Sequence, residues 1–376
     1  MPQRCDWTRC RSSAVGPGAE HGWGRAVQVA IYSQRPTCIV PPDLLKRLIL
    51  EGDSEVRVRA LETLSLDISV RQARAEIAGR RDFDTRPLGS LVDAGGTPNR
   101  VIHDQAQATT GVGAVARGEG QPASKDSAVN EAYDGLGATY KFYWEACRRD
   151  SIDAAGMLMD GLVHYGTNYN NAMWDGDQML FGDGDGLLFT RFTASLDVIG
   201  HELTHGVTQY ELNLVYSSQA GALNESMSDV MGSLVKQYAL KQTAPQADWL
   251  IGPDCVGPKL KPALRSMKAP GTANSYDNQP ADMDGYVKTM EDHGGVHTNS
   301  GIPNHAFYLL AIKLGGNAWE RAGRIWYETL RDPKLRPNSG FRSFASATVR
   351  QAGIIYGTSS AEVSAVREAW SAVKVL

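Results

Sequence analysis

Apolar residues first fall into register at Leu44, Leu45, Leu48 and Ile49, and again at Val56, Ala60, Leu61 and Leu64, with charges between them. Steps of three and four residues build one face of a helix, so residues 43–80 are expected to be helical. Pro41-Pro42 punctuates the start of this stretch, and Pro87 with Gly95-Gly96-Thr97-Pro98 marks its end. Residues 1–36 carry no such period and read as an irregular extension. From 101 to 200 the pattern shortens and becomes glycine-rich. Val163-His164-Tyr165-Gly166 and Gln178-Met179-Leu180-Phe181-Gly182 read as strands between turns, with one longer helix near 126–148. Gly182-Asp183-Gly184-Asp185-Gly186 lacks the acidic spacing and closing glutamate of an EF-hand, so it reads as a plain turn. Beyond 200 helices dominate: one through 201–205, one through 225–240, and others near 303–314, 318–331, 341–353 and 360–374. The apolar period of these last four is that of core packing.

Composition narrows the function classes. The chain has 376 residues, 42% hydrophobic and 21% charged, enough for two or three globular domains. A net charge of −4 offers no basic surface for nucleic acid. No apolar run approaches the length of a membrane-spanning helix, so neither nucleic acid nor membrane is an expected partner. The first 30 residues hold four arginines but no apolar core of the kind a secretory signal requires. Five cysteines, three of them in the first 40 residues, do not form a dense disulfide framework. Residues 37–100 are open to two readings, a small independent helical domain or a removable pro-segment with its linker.

The chemistry enters at His201-Glu202-Leu203-Thr204-His205. Histidines at i and i+4 share one helix face, and neutral imidazole suits zinc, which in catalytic sites takes three protein ligands and keeps one position for water. Glu202 adjoins the first histidine, where it can reach such a water without being a ligand. Gly221-Ala222-Leu223-Asn224-Glu225-Ser226-Met227-Ser228-Asp229 supplies Glu225 as third ligand. On the same helix face Asp229 is placed to accept a hydrogen bond from a ligand imidazole and fix its tautomer. Water held by His201, His205 and Glu225 through zinc would have its pKa lowered toward about 7. Glu202, ionised at the start, would take its proton and pass it to a leaving amine. Charge developing on the attacked oxygen needs donors. Tyr216 and His297 are candidates, and chemistry alone leaves both open.

From about residue 100 to the C-terminus the chain resembles the thermolysin-like zinc endopeptidases. The likeness rests on Asn171-Ala172-Met173-Trp174-Asp175-Gly176, the two segments above, Leu264-Arg265-Ser266-Met267, and Gly294-Gly295-Val296-His297-Thr298-Asn299-Ser300-Gly301, in that order. The resemblance implies an α+β fold: a β-rich lobe over 101–200 and a mainly helical lobe over 201–376, with the zinc helix between them. It implies zinc as cofactor and hydrolysis of protein or peptide substrates before bulky apolar residues. By the same likeness Tyr216 and His297 are the transition-state donors, Asp292 orients His297, and Asn171, Ala172 and Arg265 hold substrate backbone. The apolar pocket corresponds to Phe189, Phe192, Val198, Ile251 and Leu264, with Phe192 narrowing it. Paired calcium ions are not expected: Asp197 and Asp248 match ligand positions of relatives, but Lys236, Leu250 and Pro253 stand at others. Lys236 is expected to pair with the remaining acids.

Cys38-Ile39-Val40-Pro41-Pro42-Asp43-Leu44-Leu45 resembles the short pro-segment of the protealysin-like branch. That likeness implies a latent precursor whose cleft is plugged through Pro41, Pro42 and Leu44, with the pro-segment as inhibitor. Cys38 could offer a thiolate to zinc, though burial as an ordinary core cysteine is the preferred reading. The family implies secretion; the missing signal keeps a cytoplasmic location as the alternative.

Overall fold

A computed structural model describes residues 37–80 and 96–376. The irregular extension expected over 1–36 lies outside the described residues. Among those described, the chain opens with strand β1 (Thr37–Cys38), then helices α1 (Pro42–Glu51) and α2 (Ser54–Arg80). Pro42 starts α1 because its φ is already helical and it needs no amide partner there. Gly52 separates the helices: a Cβ at that point would lie 2.4 Å from the Leu48 carbonyl and from Val56. Asp53 then caps α2 by accepting from the Val56 amide (3.0 Å). Leu44, Leu45 and Leu48 turn inward from α1, and Val56, Ala60, Thr63, Asp67 and Val70 from α2. Leu61, expected in the apolar stripe, is 48% exposed. The buried row steps by four, three, four and three residues from Val56, and that register carries Leu61 to the outer face.

The next lobe contains β2 (Arg100–Asp104), β3 (Ala114–Gly118), α3 (Ser127–Cys147), β4 (Met159–Val163), β5 (Ala172–Trp174) and β6 (Met179–Phe181). The six strands form one mixed sheet in the order β1-β5-β6-β4-β2-β3. Strands β5 and β6 are buried at every position, as suits strands covered on both faces. The strand read at 163–166 lies earlier, ending at Val163, because His164 takes φ +54° and turns the chain out of the sheet. His164 then bridges two acids, Asp183 (2.8 Å) and the α3 cap Asp126 (3.0 Å). The Gly-Asp repeat is a turn: Asp185 accepts from the amides of Leu187 and Leu188 (both 2.8 Å).

The helical lobe comprises α4 (Leu196–Tyr210), α5 (Ser218–Leu240), α6 (Asp292–Asn299), α7 (Gly301–Leu314), α8 (Ala322–Leu330), α9 (Phe341–Tyr356) and α10 (Ala361–Ala372). It also holds a small hairpin, β7 (Leu250–Ile251) with β8 (Arg265–Ser266), that apolar periodicity did not reveal. The lobe boundary drawn at 200/201 falls inside α4, an unbroken helix that cannot be divided there. Helices α7–α10 pack as expected around buried Phe307, Trp326, Phe344 and Trp370, with the two indoles stacked 5.7 Å apart.

Helix α4 is buried from Asp197 to Thr208, and α5 from Ala220 to Gln237. They meet backbone to backbone. A Cβ on Gly232 would stand 2.3 Å from the Asp197 carbonyl, and one on Gly200 would stand 3.0 Å from the Gly232 Cα. Near this crossing the Lys236 ammonium donates to Asp197 (2.9 Å), Asp248 (3.3 Å) and the Leu250 carbonyl (3.0 Å).

Gly232→Ala forces α4 from α5 and is expected to destabilise the protein by about 1–3 kcal/mol, read as a lower urea midpoint. A second outcome concerns pH. Burial opposes the His164 charge, but Asp183 and Asp126 outweigh it and raise its pKa. A raised folded value means the contribution is full below the unfolded pKa, about 6.5, and is lost as pH rises through the folded one. Stability of wild type minus His164→Gln, followed by urea denaturation, should therefore shrink from acid toward alkaline pH.

Candidate active site

Helix α4 delivers His201 and His205 on one face, and α5 delivers Glu225 and Asp229 on the face that meets it. The imidazole Nε2 atoms lie 3.0 Å apart, and Glu225 oxygens stand 3.5 Å from His201 Nε2 and 3.6 Å from His205 Nε2. His201 Nδ1 donates to Asp229 (2.9 Å), and His205 Nδ1 donates to Asn224 Oδ1 (2.8 Å). The Asn224 amide is oriented by its own donation to the Leu214 carbonyl (3.3 Å). Each histidine thus keeps its proton on Nδ1 and turns an Nε2 lone pair toward the other. Two lone pairs at that separation repel unless a cation lies between them. Glu225 Oε2 is buried with no hydrogen-bond donor, which gives the same cation a third ligand atom. These three residues could hold a metal ion, and the donor set suits a borderline divalent cation.

Charge in the surrounding shell favours that state. Burial pushes the His205 pKa down to about 3, so the ring stays neutral. Burial works against the charges of Glu225 and Asp229. His297 and the two imidazoles nonetheless hold Glu225 below the usual carboxylate range, and Arg265 with His201 does the same for Asp229. Arg265 grips Asp229 with two bonds of 2.8 Å, and Asn304 adds a third of 2.8 Å.

Glu202 lies across the site with Oε2 accepting from the Trp174 amide (2.8 Å) and Oε1 without a partner. The side chain is wholly buried, and burial raises its pKa well above the ordinary value. The neighbouring Glu225 charge pushes the same way.

His297 and Tyr216 close the far side. Asp292, His293, Gly294 and Gly295 all have positive φ, and this left-handed turn folds the Asp292 carboxylate back onto its own helix. There it accepts from the His297 amide (2.8 Å) and from His297 Nδ1 (2.7 Å). Burial opposes the His297 charge, but Asp292 and Glu225 lift its pKa to about 10, so the ring is a cation near neutrality. The Tyr216 hydroxyl donates to Glu225 and sits 3.2 Å from His297 Nε2.

The chain's own segment lies in this cleft. Thr37 and Cys38 pair antiparallel with Trp174 and Met173. Cys38 offers its carbonyl to His297 Nε2 (3.1 Å), while its Sγ donates to the Val40 carbonyl (3.4 Å). The thiol is absent from the metal-capable group, in line with the core-cysteine reading. Ile39 and Val40 are buried in the core cluster that also contains Phe189, Phe192, Val198, Ile251 and Leu264. Pro41, Leu44, Leu264, Arg265 and His297 line one small cavity, and Pro42 is half-buried at the start of α1. Asp43 stands near Asp292 and His297, and burial, aided by Asp292, raises its pKa.

Every site residue named from the sequence is buried here, apart from part-buried Pro42, Tyr216 and Asp292, and the ligand candidates and donors converge. Other contributors were missed. Asn224 adjoins Glu225 and could have been found from that position; Asn304 and the Trp174 amide carry no sequence signal. Asp67 was hidden in a helix read for its apolar face. Its carboxylate is buried and accepts from the Tyr169 hydroxyl (2.5 Å) and from Asn171 Nδ2 (3.0 Å).

Comparison with known proteins agrees with this geometry. Residues 92–209 match the family described as thermolysin metallopeptidase, catalytic domain, and residues 212–375 match its alpha-helical domain. An extracellular metalloprotease of Pectobacterium carotovorum subsp. carotovorum is 48% identical over 348 residues, covering 91% of this chain and 97% of that one. Thermolysin of Alicyclobacillus acidocaldarius subsp. acidocaldarius is 41% identical over 67% of this chain and 46% of its own length. Among solved structures, the precursor of protealysin, a metalloproteinase from Serratia proteamaculans, superposes with a TM-score of 0.80 at 47% identity. That match covers 90% of this chain and 100% of the other.

Asp67→Ala removes a charged acceptor from Asn171 and Tyr169, a loss of about 1.5–3 kcal/mol. Amide exchange at residues 37–40 and along α2 is expected to quicken roughly ten- to hundredfold, measured by mass spectrometry.

Proposed function

The chain belongs to the thermolysin family of metallopeptidases, and from that premise we propose that it is a zinc-dependent endopeptidase made as a latent precursor. His201, His205 and Glu225 hold the zinc, which supplies Lewis-acid polarisation and a nucleophilic water at neutral pH. Asp229 fixes the His201 tautomer, and Asn224 does the same for His205. Glu202 takes the water proton on Oε1 and delivers it to the leaving nitrogen. His297 and Tyr216 donate to the oxygen on which charge develops, and Asp292 keeps His297 cationic and aimed. Asn171, Ala172 and Arg265 grip substrate backbone. Phe189, Phe192, Val198, Ile251 and Leu264 favour a bulky apolar residue on the amino side of the cut bond. The facing lone pairs of His201 and His205 beside the unpartnered Glu225 oxygen carry the reading.

Residues 37–80 act as the inhibitory pro-segment. Pro41, Pro42 and Leu44 seat them against the cleft, and the full-length chain is nearly inactive. Cleavage in the 75–101 interval releases the segment. The substrates are proteins or peptides. Secretion is the proposed destination, supported by the extracellular metalloprotease relative. Among the described residues no helix is long and apolar enough to cross a membrane.

The processed protein should hydrolyse casein and lose activity on chelation, with recovery on adding Zn²⁺. Glu202→Ala should lower kcat by about 10²–10⁴-fold. Unchanged kcat in that variant would remove Glu202 from the mechanism, and mass spectrometry of the active form tests the processing interval.

A further inference from the structure

The segment across the cleft is held by its backbone, in one direction and one register. The Cys38 carbonyl receives a hydrogen bond from His297 (3.1 Å), and the next amide, Ile39 N–H, donates to the Ala172 carbonyl (3.3 Å). The Ile39 carbonyl accepts from Arg265 (3.1 Å). The Val40 N–H donates to Asn171 Oδ1 (3.0 Å), and its carbonyl accepts from Asn171 Nδ2 (3.4 Å). Upstream, Thr37 lies opposite Trp174, whose amide holds Glu202. The three groups proposed to grip substrate are therefore engaged by Ile39 and Val40, and His297 by the preceding Cys38. The bond lying between the carbonyl held by His297 and the amide held by Ala172 is Cys38–Ile39. Its amino-side residue, Ile39, is a fully buried bulky apolar side chain.

We propose that Cys38–Ile39 is itself a scissile bond of this site, cut within the same molecule once the divalent ion is bound. The inference rests on the zinc-peptidase reading above. Water adds to the Cys38 carbonyl carbon and gives a proton to Glu202 Oε1. The C–N bond then breaks, the Ile39 nitrogen receives that proton and leaves as an amine, and the proton left on the new Cys38 carboxyl passes to it, giving a carboxylate and an ammonium. Nothing is oxidised or reduced. The cut frees residues 1–38, whereas residues 39–80 stay joined to the catalytic lobes through 81–95. Loss of latency thus takes two cleavages, the first of which leaves Ile39-Val40-Pro41 at the cleft.

The test uses the metal-free full-length chain, mixed with Zn²⁺ and sampled for intact mass and N-terminal sequence. A species beginning Ile39-Val40-Pro41 is expected, with a rate constant unchanged on tenfold dilution, and none with Glu202→Gln or without zinc. A rate that scales with protein concentration overturns cleavage in cis. A readout independent of turnover is amide exchange in the metal-free Glu202→Gln chain. Ile39 and Val40 amides should be protected, and exchange at unfolded rates overturns the seating. If the bond stays intact in a zinc-loaded sample that hydrolyses casein after limited trypsin treatment, this inference alone falls. If neither casein nor Cys38–Ile39 is cut, the zinc-peptidase reading falls and takes the inference with it.

Discussion

The contact between α4 and α5 at Gly200 and Gly232 is what the remaining architecture rests on. Two histidines on one helix cannot form a three-donor site alone, and the third donor comes from a helix that must pass within backbone distance. A side chain at the crossing would meet the Asp197 carbonyl at 2.3 Å, closer than packed atoms allow. With that approach fixed, the outer shell sets orientation. Asp229 and Asn224 claim the Nδ1 protons, Arg265 and Asn304 hold Asp229, and both Nε2 lone pairs converge.

Burial and charge then act against each other. His205 is kept neutral by burial, whereas Glu202 is pushed toward its protonated form by burial. His297 resists burial because Asp292 and Glu225 supply nearby negative charge. The segment from Thr37 to Val40 adds backbone bonds to this balance, its Cys38 carbonyl accepting from the same His297 ring.

How much of this was legible in the sequence follows from what each residue does. His201, His205, Glu225 and Asp229 could be found because helix geometry converts spacing into proximity. The last four helices could be read because aromatic packing repeats at helical period. Strand ends were harder: His164 continues an apolar run, and only its positive φ takes it out of the sheet. The β7–β8 hairpin pairs two residues with two across a loop, too short for any period. Asp67 and Asn304 act across the fold from positions far along the chain, and no local pattern encodes such partners.

Lys236 has a consequence for how this protein responds to its surroundings. Burial alone would discharge its ammonium, yet Asp197 and Asp248 raise its pKa. A counter-ion attached by a covalent tether has no dissociation constant, so sequestering agents in the medium cannot strip it from between those two acids. The scaffold at this point is insulated from metal supply, and a chelator acting on this chain would silence chemistry at the helix crossing without loosening this neighbouring junction.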